Sequence, residues 1–413
     1  MHRPTTLFTP RIQAIVLVAF MWGAYFLNYC DRQAVFAMFP VLKSDLDFTD
    51  QQLGLTGAIF LWVYAFGCPV AGQLADVFSK RLLVVLSLAV WSVVTAATGL
   101  ATSALMLLTL RAAMGISESL YMPAAIALTA NAYPPEKRSR AVSLLTTAQI
   151  AGTVGGSWFG GWMAQQGMWR TAFLCLGGIG LLYALPYASF LRSIDEESSL
   201  ETKKTGTYWS LKDLVSIPTF LLLCAVFPLF VFGLWLLYSW LPQFLYEKFD
   251  LSLSQAALTA TLYLQLGSFI GLLLGGMGAD WLFLRTKAAR LWLMTVSLVL
   301  CAPCLHFIGH ASTFWGTCTA AFLFGVSSGL LMGNIFPAAF EVVPGNTRAS
   351  AVGLLNFCGA LLSGFAPLVG GTFKQSLGLE RLLSMTGGVY FLAAILLILG
   401  IRWLFPIDYA KTH

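Results

Sequence analysis

The chain has 413 residues, 58% of them hydrophobic and only 10% charged, with 38 glycines. A soluble protein of this length carries about 25% charged residues. The composition therefore excludes a soluble enzyme or nucleic-acid-binding domain and points to a polytopic helical membrane protein. The net charge of +6 is accounted for by membrane topology, with no need of a nucleic-acid partner.

Apolar runs long enough to cross a bilayer need about 20 residues each. Twelve occur, at 12–41, 53–76, 81–101, 104–132, 138–165, 169–192, 217–246, 254–282, 288–309, 312–342, 348–374 and 380–405. The first reads as a span, with no removable signal peptide before it. The longest polar interruption, 193–213, carries Asp195-Glu196-Glu197 and Lys203-Lys204 and divides the spans six and six. It predicts an N-terminal six-helix bundle over 1–192, a cytoplasmic linker over 193–216 and a C-terminal six-helix bundle over 217–413. Within that linker, Trp209 to Ile217 reads as a short interfacial helix.

Of the 24 basic residues, seventeen fall on the loop side that includes Lys80, Arg81, Lys137, Arg138, Arg285 and Arg348. Five fall on the other side: Lys43, Arg170, Lys248, Lys374 and Arg381. Arg32 and Arg111 are left inside apolar runs. The positive-inside rule then places both termini in the cytoplasm of a cell whose inner membrane holds the protein.

The two halves repeat. Gly72-Gln-Leu-Ala-Asp76 ends the second span and Gly276-Met-Gly-Ala-Asp280 the eighth. Further on the match is gapless at an offset of 210, pairing Gly115-Ile-Ser with Gly325-Val-Ser and Ala141-Val-Ser-Leu-Leu with Ala351-Val-Gly-Leu-Leu. Parallel six-span repeats enclosing a midplane site are a transporter architecture.

Four charges stand well inside apolar segments: Asp31, Arg32, Arg111 and Glu118. Such residues are costly in a membrane and mark functional sites. Arg111 and Glu118 are seven residues apart, so they share a helix face about 10.5 Å apart along the axis. Spans one and four are antiparallel, which brings Arg111 to the depth of Asp31 and leaves Glu118 deeper, without a close cation. A guanidinium offers a fork that matches a carboxylate. The expected site therefore has Arg32 receiving a substrate anion, Asp31 and Glu118 as proton sites, and Arg111 as charge partner to Asp31. At the offset of 210 the counterparts of Glu118 and Arg111 are Ser328 and Ala321, so all coupling charge is expected in the N-terminal half.

The eight cysteines lie almost wholly in apolar runs and read as small buried hydrophobes, Cys301-Ala-Pro-Cys304 included. No metal or cofactor is expected. His306 and His310 read as a polar rim.

The chain resembles the major facilitator superfamily in Gly72-Gln-Leu-Ala-Asp76-Val-Phe-Ser-Lys80-Arg81, Arg111-Ala-Ala-Met-Gly115 and Trp169-Arg170-Thr-Ala-Phe173. Val77 and Ser79 depart from its loop signature. Within that superfamily, Asn28-Tyr29-Cys30-Asp31-Arg32, the Gly115…Glu118…Pro123 stretch and Tyr133-Pro134-Pro135…Arg138…Ala141 resemble the anion:cation symporter family. The resemblance implies proton-coupled symport of a sugar acid or related carboxylate by alternating access. It also implies Gln149 as a polar substrate contact. The spinster-like group, linked to lipid-type amphiphiles, is the rival.

Tyr29, Tyr121, Gln149, Tyr263, Gln265, Asn334 and Asn356 are the expected polar lining of the cavity. Gly72, Asp76, Lys80, Arg81 and, more weakly, Asp280 are the expected cytoplasmic gate. The expected partners are a small organic anion, protons and the lipid bilayer, with one chain sufficient for function.

Overall fold

The computed structural model describes residues 10–133, 135–193 and 214–412, with backbone alone at several positions that include residues 72, 75–77 and 135–143. Every regular element among the described residues is a helix. In the order of the spans these are Pro10–Ala37, Asp50–Val77, Lys80–Thr98, Ala104–Ser119 with Tyr121–Ala132, Pro135–Gln165, Trp169–Ser193, Pro218–Phe249, Leu253–Phe283, Ala289–His310, Phe314–Phe340, Arg348–Ser363 with Phe365–Leu377, and Leu379–Trp403. They are called spans 1 to 12 below. The protein is an all-α membrane protein with twelve transmembrane helices in two pseudo-symmetric six-helix bundles. Most of the expected linker, 194–213, lies outside the described residues.

Ten of these helices are long and apolar enough to cross a membrane by that measure alone. Spans 4 and 5 complete the twelve. Span 4 is cut into 16- and 12-residue pieces at Leu120, and span 5 opens with Glu136, Lys137, Arg138 and Arg140. Proline explains the cut. Pro123 has no N–H, and its ring crowds the carbonyl four residues back, that of Ser119. Pro367 stands in the same relation to the break at Gly364 in span 11. Span 1 was expected to run to residue 41. It stops at Ala37, and a separate helix Phe39–Asp45 begins with Pro40 in its first turn, where proline is tolerated.

The halves are built alike. Span 1 packs on span 5 and span 7 on span 11; span 2 on span 4 and span 8 on span 10; span 3 on span 6 and span 9 on span 12. Thr49 with Gln52 and Ser252 with Gln255 form matching capping boxes at the starts of spans 2 and 8. Ser87 donates to the Ser117 carbonyl and Ser297 to the Ser327 carbonyl, each at 2.5 Å. Both partners of that second bond are displaced by the 210 residues read from the repeat. Small residues allow the close helix approach that packing in lipid requires. At Gly156 in span 5 any Cβ would run into the backbone of Cys30. Span 1 is thereby held against span 5 immediately beside Asp31.

The two bundles meet along spans 1 and 7, 2 and 11, and 5 and 8. The polar and aromatic contacts across this seam, among the described residues, run from mid-span to the face carrying residues 38–50. Phe36 packs edge-on to Trp235, Phe39 lies on Trp240, and Trp62 donates to the Leu361 carbonyl at 3.1 Å. Ser157 donates to the Ala257 carbonyl at 3.1 Å. At the rim, Asp50 accepts from Lys43 at 2.7 Å and from Gln375, across the seam, at 2.9 Å. It does this while 5% exposed, and Gly371 lets the span 11 backbone lie on the Asp50 carbonyl. Nearby, Glu247 holds Lys374 at 2.6 Å.

This clasp closes one face of the molecule. Replacing Asp50 with Ala removes the one charged side chain that, among the described residues, hydrogen-bonds across the seam, and leaves Gln375 without that acceptor. Spin labels at the exposed positions Gln51 and Ser376 should then report a longer mean distance between the outer ends of spans 2 and 11. An unchanged distribution would mean that the apolar seam alone keeps this face closed.

Candidate functional site

Asp31 and Arg32 lie in the last third of span 1, and both are buried. Consecutive residues on a helix point about 100° apart, so the two side chains meet different neighbours. Arg32 turns toward spans 2 and 4. Its Nε donates to Glu118 Oε2 at 2.6 Å, and both side chains are nearly sealed from solvent. Three rings surround the guanidinium: its Cζ lies 4.9 Å from the centres of Tyr29 and Phe60 and 4.8 Å from that of Tyr64. Arg32 reaches Glu118 through Nε alone, and its guanidinium also hydrogen-bonds with the Tyr64 side chain, so its terminal nitrogens bond to no carboxylate among the described residues.

Asp31 turns toward span 3. Its Oδ2 accepts from the Thr95 hydroxyl at 3.1 Å, and its Oδ1 has no hydrogen-bond partner. Arg111, also buried, donates from Nε to the Thr56 carbonyl at 3.3 Å and from Nη1 to the Met114 sulfur at 3.1 Å. Phe60 lies beneath it as well, 4.9 Å from ring centre to Cζ, so one ring separates the two arginines.

Two expectations are corrected here. Arg111 does not form an ion pair with Asp31, for among the described residues no charged nitrogen comes within 4.0 Å of that carboxylate. Arg111 faces span 2 while Asp31 faces span 3. Nor is Glu118 without a close cation, because the long Arg32 side chain reaches along the bundle to it. The break at Leu120, one turn before Pro123, lies just beyond Glu118, whose carbonyl accepts from the Leu120 N–H.

The expected cavity residues divide. Tyr29 is half-buried and beneath Arg32. Gln265 is buried and donates to the Tyr238 hydroxyl at 2.9 Å. Tyr121 is buried, and its hydroxyl donates to the Met21 carbonyl. It is a packing residue stacked near Tyr25 and Trp91, a correction to its reading as a substrate contact. Asn334 is corrected likewise. It is fully buried, donating to the Gly275 and Leu330 carbonyls, with Arg290 donating to its oxygen at 3.4 Å. Gln149, Tyr263 and Asn356 keep partial or full exposure and make no hydrogen bond to described residues.

The expected gate is only partly described. Gly72 and Asp76 are described by their backbone alone. Lys80 begins span 3, and Arg81 donates to the Leu191 carbonyl at 3.3 Å. Asp280 is exposed and forms no ion pair with a described residue. Sequence reasoning missed the network that stands at this end of the second bundle, where Arg290 pairs with Glu341 at 2.9 Å beside Asn334. It also missed Thr95, Phe60 and Tyr64, since a threonine or a ring in an apolar run has no mark of its own.

A buried guanidinium paired with one of two buried carboxylates, beside the seam of two alike bundles, fits a transporter architecture. The superfamily model described as Major Facilitator Superfamily matches residues 21–367, and the chain belongs to that superfamily. Among its relatives, a probable sulfoacetate transporter of Cupriavidus necator is 29% identical over 95% of both chains. A hexuronate transporter of Bacillus subtilis is 26% identical over 94% of both. The fold is shared with a bacterial homologue of the human lysosomal transporter Spinster, solved inward-facing and unoccupied, with a TM-score of 0.83 at 21% identity over 96% of this chain and 98% of that one.

Glu341 lies just past the end of span 10. Burial pushes its carboxyl up from 4.5 to about 7, against the opposing pull of Arg290. An acid held up in this way keeps its proton in the folded protein after the unfolded chain has lost it. Stability therefore declines as pH rises between about 4.5 and 7 and is level beyond. The melting temperature of the detergent-solubilised protein should fall across that window. Glu341→Gln, which cannot ionise, should flatten the slope, and an equal slope in the two proteins would remove Glu341 from the account.

Proposed function

We propose that the protein is a proton-coupled symporter of a small organic anion, a sugar acid or related carboxylate or sulfonate, working by alternating access as a single chain in the cell's inner membrane. The observation that carries this reading is the buried Arg32: Nε is tied to Glu118, while its terminal nitrogens bond to no carboxylate among the described residues. Those nitrogens form the bidentate edge that carboxylates and sulfonates recognise. The names of the two full-length relatives support this class of substrate, and the basic loops support cytoplasmic termini. The face closed by Asp50 is then the external one.

Charge balance supplies the mechanism. Asp31, Arg32, Arg111 and Glu118 sum to zero when all are ionised. One anion on Arg32 and one proton on a carboxyl keep the sum at zero, so the loaded site crosses the low-dielectric interior as a neutral unit. Asp31 takes the proton, being the buried carboxylate without an ion pair. Glu118 competes with the bound anion for Arg32 and reclaims it on release. Arg111 supports the cluster electrostatically at longer range. Tyr29, Gln265, Gln149, Tyr263 and Asn356 supply polar contacts to the remainder of the substrate, and Asp76, Lys80, Arg81 and Asp280 serve the cytoplasmic gate.

Proteoliposome uptake of glucuronate and sulfoacetate under an imposed proton gradient tests this. Arg32→Ala should weaken anion binding roughly 10- to 100-fold, the worth of charged hydrogen bonds. Asp31→Asn and Glu118→Gln should keep counterflow exchange but lose uphill accumulation. Unchanged uphill uptake in both acid variants would sink the reading. Transport of a lysolipid by the wild type, with no response to either anion, would favour the spinster-like alternative.

A further inference from the structure

We propose that Thr95 is the positioning residue of the proton site, holding the Asp31 carboxyl on the side of span 1 that faces away from Arg32 and serving it in both protonation states. This rests on the reading of Asp31 as the proton carrier.

Thr95 lies in the inner-facing stripe of span 3 and is completely buried, so it cannot touch substrate. Threonine in a helix interior ordinarily returns its hydroxyl to the carbonyl four residues back. Its neighbours behave that way: Ser92 donates to Leu88 and Thr98 to Val94. Thr95 instead reaches across to another helix and donates to Asp31 Oδ2 at 3.1 Å. Among the described residues no other hydrogen bond is made to that carboxylate, and its Oδ1 is buried without a partner there.

The charged groups around Asp31 are few. Glu118 and Arg111 face it from span 4, one of like and one of opposite sign. Its neighbour Arg32 is committed to Glu118. Spans 3, 5 and 6 carry charged residues only near their ends, at Lys80, Arg81, 136–140, Arg170 and Arg192. The one group that touches Asp31 directly is therefore a neutral hydroxyl, and a hydroxyl both donates and accepts. With Asp31 ionised, the Thr95 O–H donates to it, as observed. With Asp31 protonated, the carboxyl O–H donates to Thr95 Oγ1, whose own hydrogen turns to the Trp91 carbonyl, the usual acceptor four residues back. A lysine or an amide NH2 in this place would stabilise the ionised form alone. The repeat supports the assignment, since the residue 210 positions on from Thr95 is Leu305, in the half whose spans carry no acid near their middles.

The test is an infrared pH titration of the purified full-length protein. A protonated carboxyl C=O band that disappears in Asp31→Asn belongs to Asp31. In Thr95→Val, which keeps the shape and loses the hydroxyl, the midpoint of that band should move about one unit to higher pH, because a bond to the charged form is gone. Thr95→Ser should restore the wild-type midpoint, and Thr95→Ala should match valine if valine perturbs packing. The midpoint of gradient-driven uptake should follow, with the exchange KM unchanged. A band that is absent, or that survives Asp31→Asn, overturns the reading of Asp31 as proton carrier, and this inference with it. A band that vanishes in Asp31→Asn but keeps its midpoint in Thr95→Val overturns the role of Thr95 alone.

Discussion

The structure depends on the ion pair between Arg32 and Glu118, 2.6 Å long and sealed inside the first bundle. Charge taken out of water must be paired, and removing one partner of a buried pair costs about 3–5 kcal/mol. That requirement dictates the local architecture. Span 1 lies close enough to span 5 that Gly156 tolerates no side chain against Cys30. Span 4 is interrupted one turn before Pro123, with Glu118 at the edge of the break. Phe60 and Tyr64, four residues apart on span 2, wall the guanidinium and separate it from Arg111. A pair so enclosed yields most readily to a group that offers the guanidinium an equal charge, which favours the proposed anionic substrate.

Against this, the pseudo-symmetry of the halves is a symmetry of packing and not of chemistry. The Ser87–Ser117 and Ser297–Ser327 bonds, the two capping boxes and the paired helices repeat faithfully. The charges do not. Ser328 stands for Glu118, Ala321 for Arg111 and Leu305 for Thr95. The second bundle places its inter-helix ion pairs, Arg290 with Glu341 and Lys374 with Glu247, toward the ends of the helices and presents aromatic and amide groups such as Trp235, Tyr238 and Gln265 nearer the centre. One bundle carries the charge chemistry and the other shapes the space around it. The Asp50–Gln375 contact joins them at a single face.

Much of this was legible in the residues. Helix count, the two-bundle repeat, the offset of 210 and the identity of the four buried charges follow from hydropathy and spacing, because membrane thickness and backbone hydrogen bonding leave a chain few options. The end of span 1 at Pro40 and the interruption before Pro123 are local effects of proline, legible in principle from the ring's clash with the preceding turn. Tyr121 and Asn334 were not legible in the same way. A tyrosine or asparagine in an apolar run is equally able to line a cavity or to satisfy a neighbouring carbonyl, and here Met21, Gly275 and Leu330 supply the carbonyls.

By itself the sequence determined which charges enter the membrane and at what depth, since position along a helix of known rise fixes depth. It did not determine which charge faces which. Arg32 took Glu118, and Asp31 was left to Thr95 of span 3. That choice depends on how each helix is rotated about its axis, which is set by the glycine contacts, ring stacking and hydroxyl bonds that only the packed bundle brings together.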